Sequence, residues 1–181
     1  MRKQHYQSII AQLKLIQCGQ GGMPPFITAS TLDNAKSAIK HFDVWNNQVR
    51  YIGDELPFAL PAIFLQFQPI TWEQRSKGVR AADVSLTLHI ITANRAPSAN
   101  KHGYETKALE FFDLLDAINA NLYGLKADYF RNLVSTSSAT DHDHDELIDS
   151  QETYTVQLTD KSAVRTVVTV TPAPIVNVTL G

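Results

Sequence analysis

The stretch ADVSLTLHIITA, residues 82 to 93, restricts the possible folds of this chain more than any other. Val84, Leu86, Leu88 and Ile90 alternate with Ser85, Thr87 and His89. A two-residue period is that of a strand with one apolar face. Such a strand belongs to a sheet whose apolar side must be covered. The stretch LPAIFLQFQPITW, residues 60 to 72, repeats the pattern, with Ile63, Leu65 and Phe67 alternating with Phe64, Gln66 and Gln68. Pro61 and Pro69 lack a donor N–H and mark positions that cannot pair on one side. Between the two runs, EQRSKGVRA is polar and contains Gly78, which predicts a hairpin loop and antiparallel neighbours.

The cover for such a sheet is also legible. Residues 2 to about 18 predict a helix with Tyr6, Ile9, Ile10, Leu13 and Ile16 on one face, ended by Gly19, Gly21, Gly22 and Pro24-Pro25. Burying these five side chains would contribute about 1.5–3 kcal/mol each. His5 falls on the exposed side of this helix. A second helix is expected from about Gly103 to Leu122, with Leu109, Phe112, Leu115, Ile118, Asn119 and Leu122 at three-and-four spacing and Gly124 as its stop. KHFDVW and QVRYI flank Asn46-Asn47 and predict a hairpin whose turn needs positive φ. STLDNAKSAI reads as a short helix capped by Ser30 or Thr31. DYFRNLVSTSS reads as a weaker strand. ETYTVQL is a clearer one, with Tyr154, Val156 and Leu158 alternating with Thr153, Thr155 and Gln157.

Strands thus follow one another instead of alternating with helices. The expected class is α+β: a mostly antiparallel sheet with two main helices packed on one face. Residues 1–160 form a single domain in this reading. Residues 161–181 form a β-rich C-terminal extension that is nearly uncharged and interrupted by Pro172 and Pro174. It pairs either with its own sheet or with a neighbouring subunit, since an unpaired segment of this kind is an aggregation hazard.

The chemistry is sparse. The hydrophobic share of 44%, against 19% charged, is that of a globular chain, and a net charge of −2 gives no footprint for gripping phosphates. Cys18 is the only cysteine, so neither an internal disulfide nor a zinc–thiolate cluster can form. No run approaches the roughly 18 apolar residues of a membrane span, and no signal peptide is evident. The expected setting is therefore the cytoplasm of the cell that makes the protein.

One stretch invites an enzyme. TDHDHDEL, residues 140 to 147, holds His142, His144, Asp141, Asp143 and Asp145. Mixed Asp/His sets suit zinc, manganese or iron, which would make a metal-dependent hydrolase the alternative of a different class. The spacing matches neither the helical H-E-x-x-H motif nor a calcium loop. The flanks STSSAT and DSQ are turn-formers, and clustered like charges favour solvent, so a solvated loop is the simpler reading. No nucleophile elbow, phosphate-cradling loop or dinucleotide fingerprint is present. On these grounds no catalytic residue, cofactor or metal is assigned, and the chain is read as not an enzyme. Trp45 and Trp72 read as core or interface anchors.

The run FDVWNNQVRYIGDELPFALPAIFLQFQPITW followed by ADVSLTLHIIT resembles the tail terminators and related tail-completion proteins of long-tailed bacteriophages, including prophage-encoded minor tail proteins. The matching pieces are Tyr6–Ile16, Phe42–Ile52, Pro61–Phe67, Val84–Ile91, Leu109–Leu122 and Tyr154–Leu158. The resemblance implies a structural subunit that closes as a homo-oligomeric ring of roughly six chains. Such a ring caps the tail tube, stops its growth and meets head connector proteins. Another head–tail joining (neck) protein is the alternative within this class. DNA would pass through the lumen without specific binding, repelled by the acidic loop, in a virion assembled in a bacterial cytoplasm. The residues expected at interfaces are Trp45, Gln48, Phe64, Trp72, Arg75 and His89.

Overall fold

A computed structural model describes residues 2–19, 25–51, 57–93, 104–127, 130–141 and 147–164, with side chains omitted at 50, 51 and 104–108. In chain order the elements are α1 (Arg2–Leu13), β1 (Ile16–Gln17), β2 (Ile27–Thr28), β3 (His41–Val44), a 3-10 turn (Gln48–Tyr51), β4 (Ala62–Phe67), β5 (Glu73–Ser76), β6 (Val79–Ala93), α2 (Tyr104–Leu122), β7 (Phe130–Asp141) and β8 (Leu147–Asp160). A six-stranded sheet runs β3-β4-β6-β8-β7, with β5 pairing on the flank of β6. All its pairings are antiparallel except β3 with β4. The fold is α+β, as the strand order predicts.

The central ladder is β6 against β8, in unbroken register from Arg80↔Asp160 to Ala93↔Leu147. Alternation puts Ala82, Val84, Leu86, Leu88 and Ile90 on one face beside Tyr154, Val156 and Leu158 of β8 and Ile63 and Leu65 of β4. Ile9, Ile10 and Leu13 of α1 and Leu114, Ile118 and Leu122 of α2 complete this buried core. Both helices therefore lie on one face. Helix α2 does so on a stripe rotated from the one the spacing suggests: Leu114, Ile118, Asn121 and Leu122 point inward, whereas Leu109 and Phe112 are exposed. Gly124 ends the helix at φ 72°, a conformation that favours glycine.

Four local expectations are corrected. Helix α1 stops at Leu13 rather than continuing to 18, and Ile16 reaches the same core from β1. His5 is buried, its ring edge-on to Phe130 at 5.3 Å between centroids, because its helical face meets the start of β7. STLDNAKSAI is a turn with a single bridge from Ser37 to Gln17. The run around Asn46-Asn47 is not a hairpin. Asn47 has the predicted positive φ of 56°, but the chain leaves β3 into the 3-10 turn, and β3 pairs in parallel with β4.

The opposite face of the sheet is covered as well. Ala62, Phe64, Ile91 and Leu147 are buried there with Val49 and Phe58, and Trp45 and Leu60 pack against them. The segment after β3 acts as a lid over the second face, in the place where sequence periodicity suggests a solvated surface.

Candidate functional site

Two polar clusters are built into the sheet, one on each face. On the lidded face, β6 carries His89 opposite Phe64 of β4 and Gln151 of β8. The His89 ring bonds through Nδ1 with Asp149 Oδ2 at 3.0 Å and through Nε2 with Gln66 Oε1 at 3.1 Å. Trp45 lies flat on it, centroids 3.6 Å apart and planes within 1°. His89 and Asp149 are each only 4% exposed, so the pair is closed to solvent. Gln151 Nε2 also donates to Asp149 Oδ2, while Oδ1 has no hydrogen-bond partner among the described residues. An incompletely satisfied buried carboxylate depends heavily on the partners it has.

On the helix-covered face, Glu152 is buried in phase with Tyr154, Val156 and Leu158. Ser138 Oγ donates to Glu152 Oε2 at 2.6 Å and Asn119 Nδ2 donates to it at 3.5 Å. Tyr154 in turn donates its hydroxyl to Asn119 Oδ1. Burial, reinforced by the Glu152 charge, pushes the Tyr154 hydroxyl well above the usual phenol range, so it stays a donor. This chain of bonds ties α2 to the two last strands. A third contact closes the end of the sheet. Arg80 bonds Asp160 Oδ2 through Nε at 2.9 Å and Nη2 at 2.8 Å, and its guanidinium lies 4.5 Å from the Trp72 ring centre. The Ser162 backbone N–H, more than Arg80, holds the Asp160 carboxyl below the usual carboxylate range.

The borders of the sheet are of another character. Strand β7 is exposed from Val134 to Thr140 and, among the described residues, pairs only with β8. Register shifts between Arg131 and Val134 and between Ser135 and Ser137 bend its first half. From Ser137 to Asp141 the ladder is regular. At the other border, β3 leaves Val44 exposed, and Leu32 is exposed as well. A shallow groove of about 480 Å³ runs there between α1 and β3, lined by Tyr6, Ile10, Lys14, Leu32 and Phe42.

Of the six residues expected at interfaces, the fold brings together Trp45, Phe64 and His89, on the lidded face. Phe64 and His89 are buried, so neither is offered to a partner at the surface of this chain; the lid over the second face is the reason. Trp45 is half-buried on His89, and Trp72 is half-buried under Arg80. Gln48 folds back on its own turn, with its Nε2 donating to the Val44 carbonyl and its Oε1 accepting from the Asn46 N–H. Arg75 stands outside, paired with Glu73 at 2.9 Å. Of the acidic stretch, Asp141 ends β7, while His142, Asp143, His144 and Asp145 lie outside the described residues. Its flanks are not turns: STSSAT belongs to β7, and Asp149, Ser150 and Gln151 belong to β8. Among the described residues, no group of three or more His, Cys, Asp or Glu side chains is placed to hold a metal ion.

Sequence reasoning passed over Asp149, Gln66 and Glu152. For Glu152 a signal was present: a charged residue in phase with the apolar run of its own strand must be buried or must break the face. No protein-family model matches the chain, and no curated protein matches it in sequence.

Proposed function

We propose that this chain is a structural subunit that assembles edge to edge into a closed ring, of the kind that completes the tail of a long-tailed bacteriophage and joins it to the head connector. The observation that carries the reading is the sheet itself. It is stiffened on both faces by buried cores and polar clusters, yet β7 is left exposed with its outer border unpaired among the described residues. An open strand border is a template for another chain, and in a soluble protein it is either blunted or used. The order of pieces on which the resemblance rests supports the same reading. A first helix precedes the PAIFLQF strand, then come the long strand, the second helix and the last strands. The expected strand pair at 42–52 is replaced by β3 and a 3-10 turn.

Subunits of such a ring act by shape, so the clusters around His89 and Glu152 serve here to hold the sheet rigid. Sedimentation velocity with electron microscopy tests this reading. The expected result is closed rings of roughly six chains, in cyclic symmetry, each chain of 20.1 kDa. A monomer at every concentration, with purified tail-tube protein present as well, would refute it.

A further inference from the structure

We propose that the outer border of β7 receives the C-terminal segment, residues 165–181, of a second copy of this chain as an added strand. The inference rests on the ring reading and supplies the contact that would close the ring.

The receiving border is defined by β7. Its regular stretch carries Ser137, Ser138, Ala139 and Thr140, all exposed and small. It contains neither the lysine nor the proline that commonly protects a sheet edge, and its two register shifts lie before this stretch. The side chains leave the backbone accessible, which is what strand addition uses.

The donor is defined by composition. Residues 166–171 read TVVTVT and residues 175–180 read IVNVTL, two β-branched runs separated by Pro172-Ala173-Pro174, with Arg165 the only charge. Residues of this kind favour a pleated, half-covered strand.

The route of the chain selects a neighbour's border over its own. Asp160, the last residue of β8, is clamped to Arg80 of β6. A turn follows, closed by the Val164 N–H donating to the Lys161 carbonyl at 3.0 Å. Ala163 then passes so close to Gly78, in the β5–β6 turn, that a Cβ there would come within 2.6 Å of its carbonyl oxygen. The chain therefore leaves β8 toward β6 and β5, whereas β7 lies on the other side of β8. The point where the described chain ends, at Val164, and the receiving border thus lie on opposite sides of β8. A head-to-tail contact needs this layout, each copy giving on one flank and receiving on the other. Residues 165–174 can span up to about 33 Å when extended, against a strand spacing of about 4.8 Å, so the IVNVTL run can reach an adjacent subunit.

The test uses the full-length chain with Cys18→Ser and two new cysteines. One is Ala139→Cys; the other is Val176→Cys, Asn177→Cys or Val178→Cys in three separate variants, so that register cannot hide a contact. Mild oxidation is expected to yield a reducible ladder of dimers and larger multimers in at least one variant, and none in the single-cysteine controls for the C-terminal positions. Disulfides closed within one chain would overturn the proposal, because the segment would then cover its own β7. Absence of cross-linking in all three variants, while sedimentation still shows a ring, would overturn it and leave the ring reading standing. A monomer by sedimentation would sink both.

Discussion

Replacing His89 by leucine is the sharpest probe of what holds the sheet rigid. The residue is 4% exposed, bonded on one side to a carboxylate of equal burial and on the other to Gln66, with Trp45 flat against its ring. Leucine fills most of the space, so cavity formation is a minor part of the cost. The main loss is the partner of Asp149, whose Oδ1 already lacks one among the described residues. Removing one member of a buried, hydrogen-bonded pair costs about 3–5 kcal/mol. Loss of the ring stack adds about 0.5–1.5 kcal/mol. Total stability of a domain is about 5–15 kcal/mol, so His89→Leu is expected to be folded but severely weakened. The double variant His89→Leu/Asp149→Leu removes the stranded carboxylate and should recover much of the loss, since apolar replacement of a whole buried pair is often close to neutral. Urea unfolding followed by circular dichroism and by the fluorescence of Trp45 and Trp72 supplies the cycle. A cost below about 1 kcal/mol for His89→Leu, or strictly additive single variants, would refute the reasoning.

Two further predictions follow from other sites. Burial holds the His5 imidazole below its ordinary value of 6.5, so the unfolded chain binds a proton more readily than the folded one. The stability this contributes is complete above about pH 6.5 and is lost as the pH falls below it, because protonation then favours the unfolded state. His5→Phe should therefore flatten the fall of Tm on acidification, and parallel Tm–pH curves for the two proteins would contradict this. For the stretch 141–146, elemental analysis of the purified protein is expected to show no stoichiometric metal; roughly one equivalent of tightly held zinc or manganese would instead favour the hydrolase.

How far the sequence carried depended on which periods were clean. Strands β6 and β8 were legible because Val84 to Ile90 and Tyr154 to Leu158 keep strict alternation, and the antiparallel sheet follows from their order. The apolar spacing runs past the true end of helix α1 because Ile16 continues it; the residue is buried, but from a strand. The buried face of α2 lies a fraction of a turn from the stripe the spacing suggests, since Leu109 and Phe112 fit a helical stripe equally well and only packing selects Leu114 and Ile118. The parallel pairing of β3 was invisible because Asn46-Asn47 carries a hairpin's signature, and the local positive φ it requires is present. The His89 cluster was missed for a related reason. A polar residue on a strand's polar face reads as solvated unless one knows that residues outside the strand, here Trp45, Val49, Phe58 and Leu60, pack on that face. Lids formed by irregular chain leave no period to read.

The most direct test of edge-to-edge assembly is backbone amide hydrogen exchange along β7 over a dilution series. The amides between Ser135 and Asp141 that point away from β8 are predicted to exchange quickly in the dilute chain and to become protected in step with the rise in sedimenting mass. An oligomer that forms while these amides stay unprotected would contradict the account.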